Sequence, residues 1–256
     1  MMQDITFHSA ALSRETTYRV IAPNSIAGGE KLPVLYLLHG GDGTYREWSD
    51  NSDLAPYAER GAILVMPDGG FSYYTNSAMR PLDRYADYIV NDLISDAESR
   101  FPIAANRESR AIAGISMGGF GAIMLSLKHP QLFAFAGGFS SALDVPGRPL
   151  TLRRIRQWLR YRSIFGPWGS QTRRDNDPYL IALSADPCGS PYLFLGCGEQ
   201  ESFLAANHKF VEILERRHFQ YEFHAIPGAH DWNLWNAQVP SMFQSLFEHI
   251  GEEQLR

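Results

Sequence analysis

The feature that most constrains this chain is a glycine-flanked serine, Ser116, placed between a predicted strand at 110–113 and a helix that begins near Phe120. A Gly-x-Ser-x-Gly pattern at a strand-to-helix junction predicts a nucleophile elbow, a turn so tight that the serine backbone is strained. Gly114 and Gly118 fit such a turn because a Cβ atom would collide with neighbouring backbone there. The hydroxyl of Ser116 then lies at a helix N-terminus, where the helix dipole favours developing negative charge.

The length, composition and net charge of the chain limit its structural class and its possible partners. With 256 residues, of which 45% are hydrophobic and 20% charged, it can bury a large core as one α/β domain over 1–256. The net charge of −5 gives no overall attraction for nucleic acid or an anionic membrane. We therefore expect neither as a partner.

The two cysteines, Cys188 and Cys197, are predicted to be reduced thiols of a cytoplasmic protein. Residues 1–12 lack the basic start and apolar run of a signal peptide. No stretch approaches the roughly 18 consecutive apolar residues that a transmembrane helix requires. The sequence thus predicts a soluble intracellular protein.

Apolar runs of strand length alternate with segments of helical periodicity, a pattern that predicts a mostly parallel sheet with helices on both faces. Two further strands near the start, at 6–12 and 15–22, are expected to form an antiparallel edge. The remaining strands are predicted at 32–38, 62–66, 110–113, 132–139, 191–195 and 221–226, and the main helices at 82–100, 120–129, 203–217 and 234–249.

One segment, 143–185, interrupts this alternation. It is basic, with eight arginines and no acidic residue over 148–174. Leu152, Ile155 and Leu159 have the spacing of one face of an amphipathic helix. An insertion of this kind in an α/β domain predicts a lid or cap over the site. The alternative is a solvated surface whose arginines pair with acidic residues elsewhere.

A serine nucleophile needs a base, and the base needs an orienting acid, in the chain order serine, acid, histidine. His230 lies in the loop 227–232, between the last predicted strand and the last helix, where a base can reach over the strand ends. It is the predicted base. The other histidines after Ser116 fall within predicted helices or strands, or at their ends, and are expected to be structural or solvated: His129, His208, His218, His224 and His249.

Two glutamates are candidates for the acid. Glu199 and Glu201 both follow the predicted strand 191–195, and their spacing does not decide between them. Asp231 is adjacent to His230 and is expected to point away from its ring. Asp144, which follows a different strand, is a weaker reserve.

An acyl-transfer site also needs backbone N–H groups aimed at the developing oxyanion. Met117, directly after the serine, is one predicted donor, and Gly41, in the loop after the central strand, is the other. Loss of one such donor costs about 3 kcal/mol of transition-state stabilisation. The ring of His39 is expected to brace that loop. This chemistry requires no metal ion and no cofactor.

Taken together, the motifs resemble the esterase D-like family of α/β-hydrolases. They are Leu37-Leu38-His39-Gly40, Met66-Pro67-Asp68-Gly69-Gly70, Ser72-Tyr73-Tyr74-Thr75-Asn76, Ala113 to Ala122, Cys197-Gly198 and Pro227-Gly228-Ala229-His230-Asp231-Trp232. The family includes feruloyl, acetylxylan and tributyrin-type esterases, S-formylglutathione hydrolases, enterochelin esterases and mycolyltransferases. The resemblance implies an α/β-hydrolase fold and a serine carboxylesterase acting on short-chain or aromatic acyl esters.

The resemblance also implies which glutamate is the acid. The family usually has an aspartate at the position of Glu201, and a glutamate, one methylene longer, can replace it. Two other functions use the same fold: an acyltransferase or thioesterase with the same three residues, and a non-catalytic hydrolase-fold binding protein. The natural ester and the oligomeric state, including a homo-oligomer, stay open.

Overall fold

The computed structural model describes residues 1–148 and 155–250, and in these residues it contains eight strands and ten α-helical segments. A π-helical segment covers Tyr88–Leu93, and a 3₁₀ turn covers Val145–Gly147. The strands are β1 (Met2–Ser9), β2 (Arg14–Ile21), β3 (Val34–Leu38), β4 (Ile63–Pro67), β5 (Arg110–Ile115), β6 (Phe135–Phe139), β7 (Tyr192–Gly198) and β8 (Tyr221–Ile226). The helices are α1 (Glu47–Asn51), α2 (Ala55–Glu59), α3 (Tyr85–Asp87), α4 (Ile94–Arg100), α5 (Met117–Lys128), α6 (Ile155–Phe165), α7 (Gln171–Asp175), α8 (Pro178–Ser184), α9 (Leu204–Arg217) and α10 (Trp232–His249).

The strands form one sheet in the order β1-β2-β4-β3-β5-β6-β7-β8. β1 pairs antiparallel with β2, and β2 antiparallel with β4, whereas every other neighbouring pair is parallel. The predicted α/β architecture, a mostly parallel sheet with an antiparallel edge, is confirmed. Because parallel strands end on the same side, β5 to β8 bring their following loops to one place, which we call the carboxyl edge.

Helices cover both faces of the sheet. On one face of the sheet, an apolar layer packs against α3, α4, α5 and α9 and includes Leu93, Ile123 and Phe210. The other layer joins the sheet to α1, α2 and α10 and includes Trp48 and Phe243. The central strands β3 to β6 are therefore buried along their whole length, as expected for strands between two helical layers.

The insertion at 143–185 contains α6, α7 and α8. Its predicted apolar face was wrong at Leu159, which is 52% exposed, while Leu152 and the side chain of Ile155 lie outside what the structure describes. The buried side of α6 is formed instead by Tyr161, Ile164 and Phe165. Packing of the aromatic side chains sets which side of α6 is buried. The spacing of the aliphatic residues alone did not predict that side.

Within the described residues, none of the helices combines the length and apolar character needed to cross a bilayer.

Candidate active site

The turn at Ser116 has the strained geometry that the glycine spacing predicts. Ser116 has φ 54° and ψ −109° and directly precedes α5. A Cβ atom on Gly114 would collide with the backbone of Gly118, and one on Gly118 with the carbonyl oxygen of Leu38. Ser116 is partly exposed, whereas the residues on either side of it are buried. The fold thus presents the Ser116 hydroxyl at the carboxyl edge.

Two backbone N–H groups near Ser116 have no acceptor among the described residues. Met117 is the first residue of α5, where N–H groups lack intrahelical partners. Gly41 lies in the loop after β3, and its N–H also makes no hydrogen bond to a described residue. Both predicted donors are therefore available to an incoming oxygen atom.

Glu47, which sequence reasoning missed, shapes the loop that carries Gly41. The N–H of Gly40 donates to Oε2 of Glu47 at 2.6 Å. The same carboxylate occupies the space where a Cβ atom on Gly43 would lie. Glu47 thereby engages the amide next to Gly41 and leaves that of Gly41 unused. The only sequence signal was an acidic residue at the start of a short helix.

His39 braces the loop from the other side, as expected. The N–H of Gly69 donates to its Nε2 at 2.8 Å, so Nδ1 carries the proton and donates to the carbonyl oxygen of Gly40 at 2.7 Å. Burial lowers the pKa of His39, which favours this neutral form. The ring thus ties the loop after β3 to the loop after β4.

On the opposite side of Ser116, a glutamate and a histidine from two different loops meet. Nδ1 of His230 lies 2.7 Å from Oε2 of Glu201. The side chain of Glu201 is fully buried, and that of His230 is 35% exposed. With Nδ1 donating to the carboxylate, Nε2 of His230 is left as an acceptor that faces away from Glu201. Glu199 is exposed.

Ser140 and Trp235 hold Glu201 in place, and sequence reasoning missed both. Oε1 of Glu201 lies 2.5 Å from the Ser140 hydroxyl and accepts the N–H of Gly198 at 2.9 Å. Nε1 of Trp235 donates to the oxygen of Ser140 at 2.9 Å. Because an indole nitrogen can only donate, the hydroxyl proton of Ser140 is directed at Glu201. Ser140 follows β6 with φ 49°, a backbone strain that its residue type did not indicate.

The two reserve acids have other partners. Asp231 caps α10, since its carboxylate accepts the N–H groups of Asn233 and Leu234. Asp144 forms a two-point ion pair with Arg148, with both N–O distances 2.8 Å. Neither carboxylate contacts His230.

Backbone hydrogen bonds fix Ser116 and the Glu201–His230 pair on the same edge. The N–H of Ser116 donates to the carbonyl oxygen of Phe139 at 2.8 Å, and the next residue, Ser140, contacts Glu201. In the part of the chain that the structure describes, the Ser116 hydroxyl makes no hydrogen bond to Nε2 of His230. Such bonds are often long in enzymes without substrate and tighten when it binds.

Aromatic rings surround His230. Phe203 and Trp235 lie with their ring centres 5.0 and 5.1 Å from that of His230. The guanidinium of Arg148 lies over Phe203, 5.1 Å from its ring centre. The insertion therefore reaches the site through Arg148.

Neither Cys197 nor a metal cluster offers another reactive centre among the described residues. Burial raises the pKa of the Cys197 thiol to about 12, so this group is protonated at neutral pH. No group of three or more His, Cys, Asp or Glu side chains in 1–148 and 155–250 is arranged to hold a metal ion.

Comparison with known families gives a match over most of the chain. Residues 9–246 match the model of the Esterase family, described as "Putative esterase". The acetyl esterase of Caldicellulosiruptor saccharolyticus is 28% identical over 95% of this chain and 97% of its own length. The diacylglycerol acyltransferase/mycolyltransferase Ag85A of Mycobacterium gordonae is 28% identical over 88% of this chain and 75% of its own length.

Among solved structures, the fluorophosphonate-binding serine hydrolase FphF of Staphylococcus aureus is similar over nearly the whole chain. The match covers 96% of this chain and 98% of the other, with a TM-score of 0.83 and 25% sequence identity. The predicted α/β-hydrolase architecture is therefore confirmed.

Proposed function

The chain belongs to the Esterase family and is a carboxylic ester hydrolase, and we propose that Ser116, His230 and Glu201 are its catalytic residues. The observation that carries this assignment is the 2.7 Å contact between His230 and the buried Glu201, on the edge that presents the strained Ser116. Gly41 and Met117 supply the oxyanion-binding N–H groups.

In the proposed reaction, Oγ of Ser116 attacks the ester carbonyl carbon while its proton moves to Nε2 of His230. The carbonyl oxygen becomes an oxyanion and accepts hydrogen bonds from the N–H groups of Gly41 and Met117. The intermediate collapses, the C–O bond to the alcohol breaks, and His230 returns the proton to that alcohol. Water then cleaves the acyl-enzyme by the same steps, with Glu201 stabilising the charged imidazole each time.

We propose short-chain or aromatic acyl esters as substrates. The similarity to an acetyl esterase supports small acyl groups. The ring of Phe203 beside His230, and that of Phe71 beside Gly41, support aromatic ones, because aromatic rings also pack favourably edge to face against such side chains.

The insertion at 143–185 is proposed to act as a lid over this site. Its Arg148 contacts Phe203, and the hydroxyl of its Tyr161 lies 3.3 Å from that of Tyr73. We also propose a cytoplasmic location, since Cys188 and Cys197 are both unpaired, as in a reducing compartment.

A second candidate function is acyl transfer to an alcohol or thiol, favoured by the similarity to a mycolyltransferase. The same acyl-enzyme would then be resolved by an acceptor other than water. Product partition with and without a short alcohol or thiol acceptor separates the two, since a transferase diverts most of the acyl group to the acceptor.

The test of the proposed nucleophile is rapid-mixing hydrolysis of 4-nitrophenyl acetate. We expect a burst of about one nitrophenolate per protein, since acyl transfer to Ser116 precedes hydrolysis. Ser116→Ala should lose both burst and turnover while keeping its melting temperature. Turnover retained in that variant would remove Ser116 from the mechanism.

A further inference from the structure

The described arginines of the insertion differ in the partners of their guanidinium groups. Arg148 pairs with Asp144, and Arg173 donates to the carbonyl oxygens of Gly166 and Pro146. Arg160, by contrast, forms no hydrogen bond or ion pair with any described residue. Its partner is the ring of Phe71, whose centre is 3.5 Å from its Cζ.

That separation is typical of a guanidinium stacked on an aromatic ring. A stacked guanidinium uses its flat face for the ring and keeps its N–H groups, which lie in its plane, free for a ligand. Two of these N–H groups match the oxygen spacing of a carboxylate, so the free edge of Arg160 can bind one bidentately.

Phe71 connects Arg160 to the proposed oxyanion site. A Cβ atom on Gly41 would lie 3.3 Å from Cε2 of Phe71, so this ring contacts the loop that supplies the Gly41 N–H. Arg160 and the loop of Gly41 therefore contact the same ring, that of Phe71.

A cavity of about 330 Å³ opens beside this ring. Its lining combines apolar walls with two arginines and one hydroxyl: Phe71, Arg80, Leu159, Arg160, Ser163 and Ile164. Arg80 is already paired with Asp83 at 3.0 Å. The cavity thus offers one unpaired cation, which suits a monoanion better than a dianion.

We propose that this cavity is a subsite for a carboxylate carried by the ester substrate, with Arg160 as the residue that binds it. The inference rests on the proposed function and specifies its substrate class as carboxylate-bearing esters. The carboxylate is on the alcohol or on the acyl part, and both arrangements can be tested separately.

The experiment compares matched esters in which this carboxylate is either free or blocked as a methyl ester. One pair, 4-acetoxybenzoate and its methyl ester, has the carboxylate on the alcohol side. The other, 4-nitrophenyl hydrogen adipate and 4-nitrophenyl methyl adipate, has it on the acyl side. For each pair, the ratio of kcat/KM for the charged over the neutral ester is measured in wild type, Arg160→Gln and Arg162→Gln.

Arg162→Gln is the matched control, because Arg162 is on the same helix but lies near Trp158 and does not line the cavity. We expect Arg160→Gln to lower the ratio about tenfold in one pair through KM, as loss of a charge-assisted contact does. Arg162→Gln should keep both ratios within about twofold of wild type.

Unchanged ratios in Arg160→Gln for both pairs would overturn the subsite, as would an equal fall in Arg162→Gln, which would indicate general charge attraction. Failure of the wild-type protein to hydrolyse any of the four esters would instead count against the proposed function.

Discussion

The carboxyl edge and the insertion differ in what holds their side chains. At the edge, hydrogen bonds from strand-end residues orient each polar group, as when Gly198 and Ser140 both contact Glu201. In the insertion, α6 is held by aromatic packing through Tyr161 and Phe165, and other residues such as Leu183, 48% exposed, face water. We therefore expect substitutions of buried polar groups at the edge to change activity, and substitutions of buried apolar side chains in the insertion to change stability.

The largest effect is expected from Glu201→Gln. The neutral amide no longer stabilises the charged form of His230, and it can hold the ring in the wrong tautomer, so kcat should fall on the order of 10³-fold or more. The measurement is steady-state hydrolysis of 4-nitrophenyl acetate, with the melting temperature recorded in parallel.

Glu199→Gln is the matched control, two residues away and exposed. It should stay within about twofold of wild type. Equal losses in the two variants, or a larger one in Glu199→Gln, would remove Glu201 from its proposed role.

The chain order of the polar residues predicted the edge well because parallel strands end together whatever their loops contain. Ser116, His230 and the loop of Glu201 each follow a predicted strand, so their placement at this edge of the sheet needed only the strand order. The choice between Glu199 and Glu201 depended on the turn after β7, which buries one side chain and exposes the other. The spacing of the two glutamates in the sequence did not predict the conformation of that turn.

Supporting residues were less predictable. Ser140 and Trp235 act through contacts between distant parts of the chain, and no local pattern distinguishes them from ordinary strand-end and helix residues. The predicted apolar face of α6 was wrong at Leu159 for a related reason. Its helix packs by its aromatic residues, so aliphatic spacing gave the wrong face.

The next effect concerns the insertion. Ile164 is 1% exposed, so Ile164→Ala should lower the free energy of unfolding by about 2–5 kcal/mol through the lost burial and the cavity left behind. Leu183→Ser, at an exposed position, should change it by less than about 0.5 kcal/mol. Urea titration of both variants measures these changes in the free energy of unfolding. Equal changes would contradict the expectation that the buried position contributes more to stability than the exposed one.

A smaller effect on activity is expected from Glu47→Ala. Without the carboxylate, the N–H of Gly40 loses its 2.6 Å partner and the loop holding Gly41 becomes less ordered. We expect kcat to fall about tenfold, less than the roughly 3 kcal/mol lost with an entire oxyanion donor, with KM little changed.

Glu47→Gln keeps an acceptor oxygen for Gly40 and should recover most of the activity. A Gln variant as impaired as the Ala variant would mean that the charge of Glu47, and not its hydrogen bond to Gly40, matters for turnover.

The account depends most on one claim, that His230 and Glu201, from two strand-end loops, activate the Ser116 hydroxyl. Its most direct test is treatment of the intact protein with diisopropyl fluorophosphate, followed by peptide mass mapping in wild type and His230→Ala. We predict one adduct per chain on Ser116 in the wild type and labelling slowed on the order of 10³-fold in His230→Ala. An adduct elsewhere, no adduct, or labelling that proceeds as fast without His230 would contradict the account.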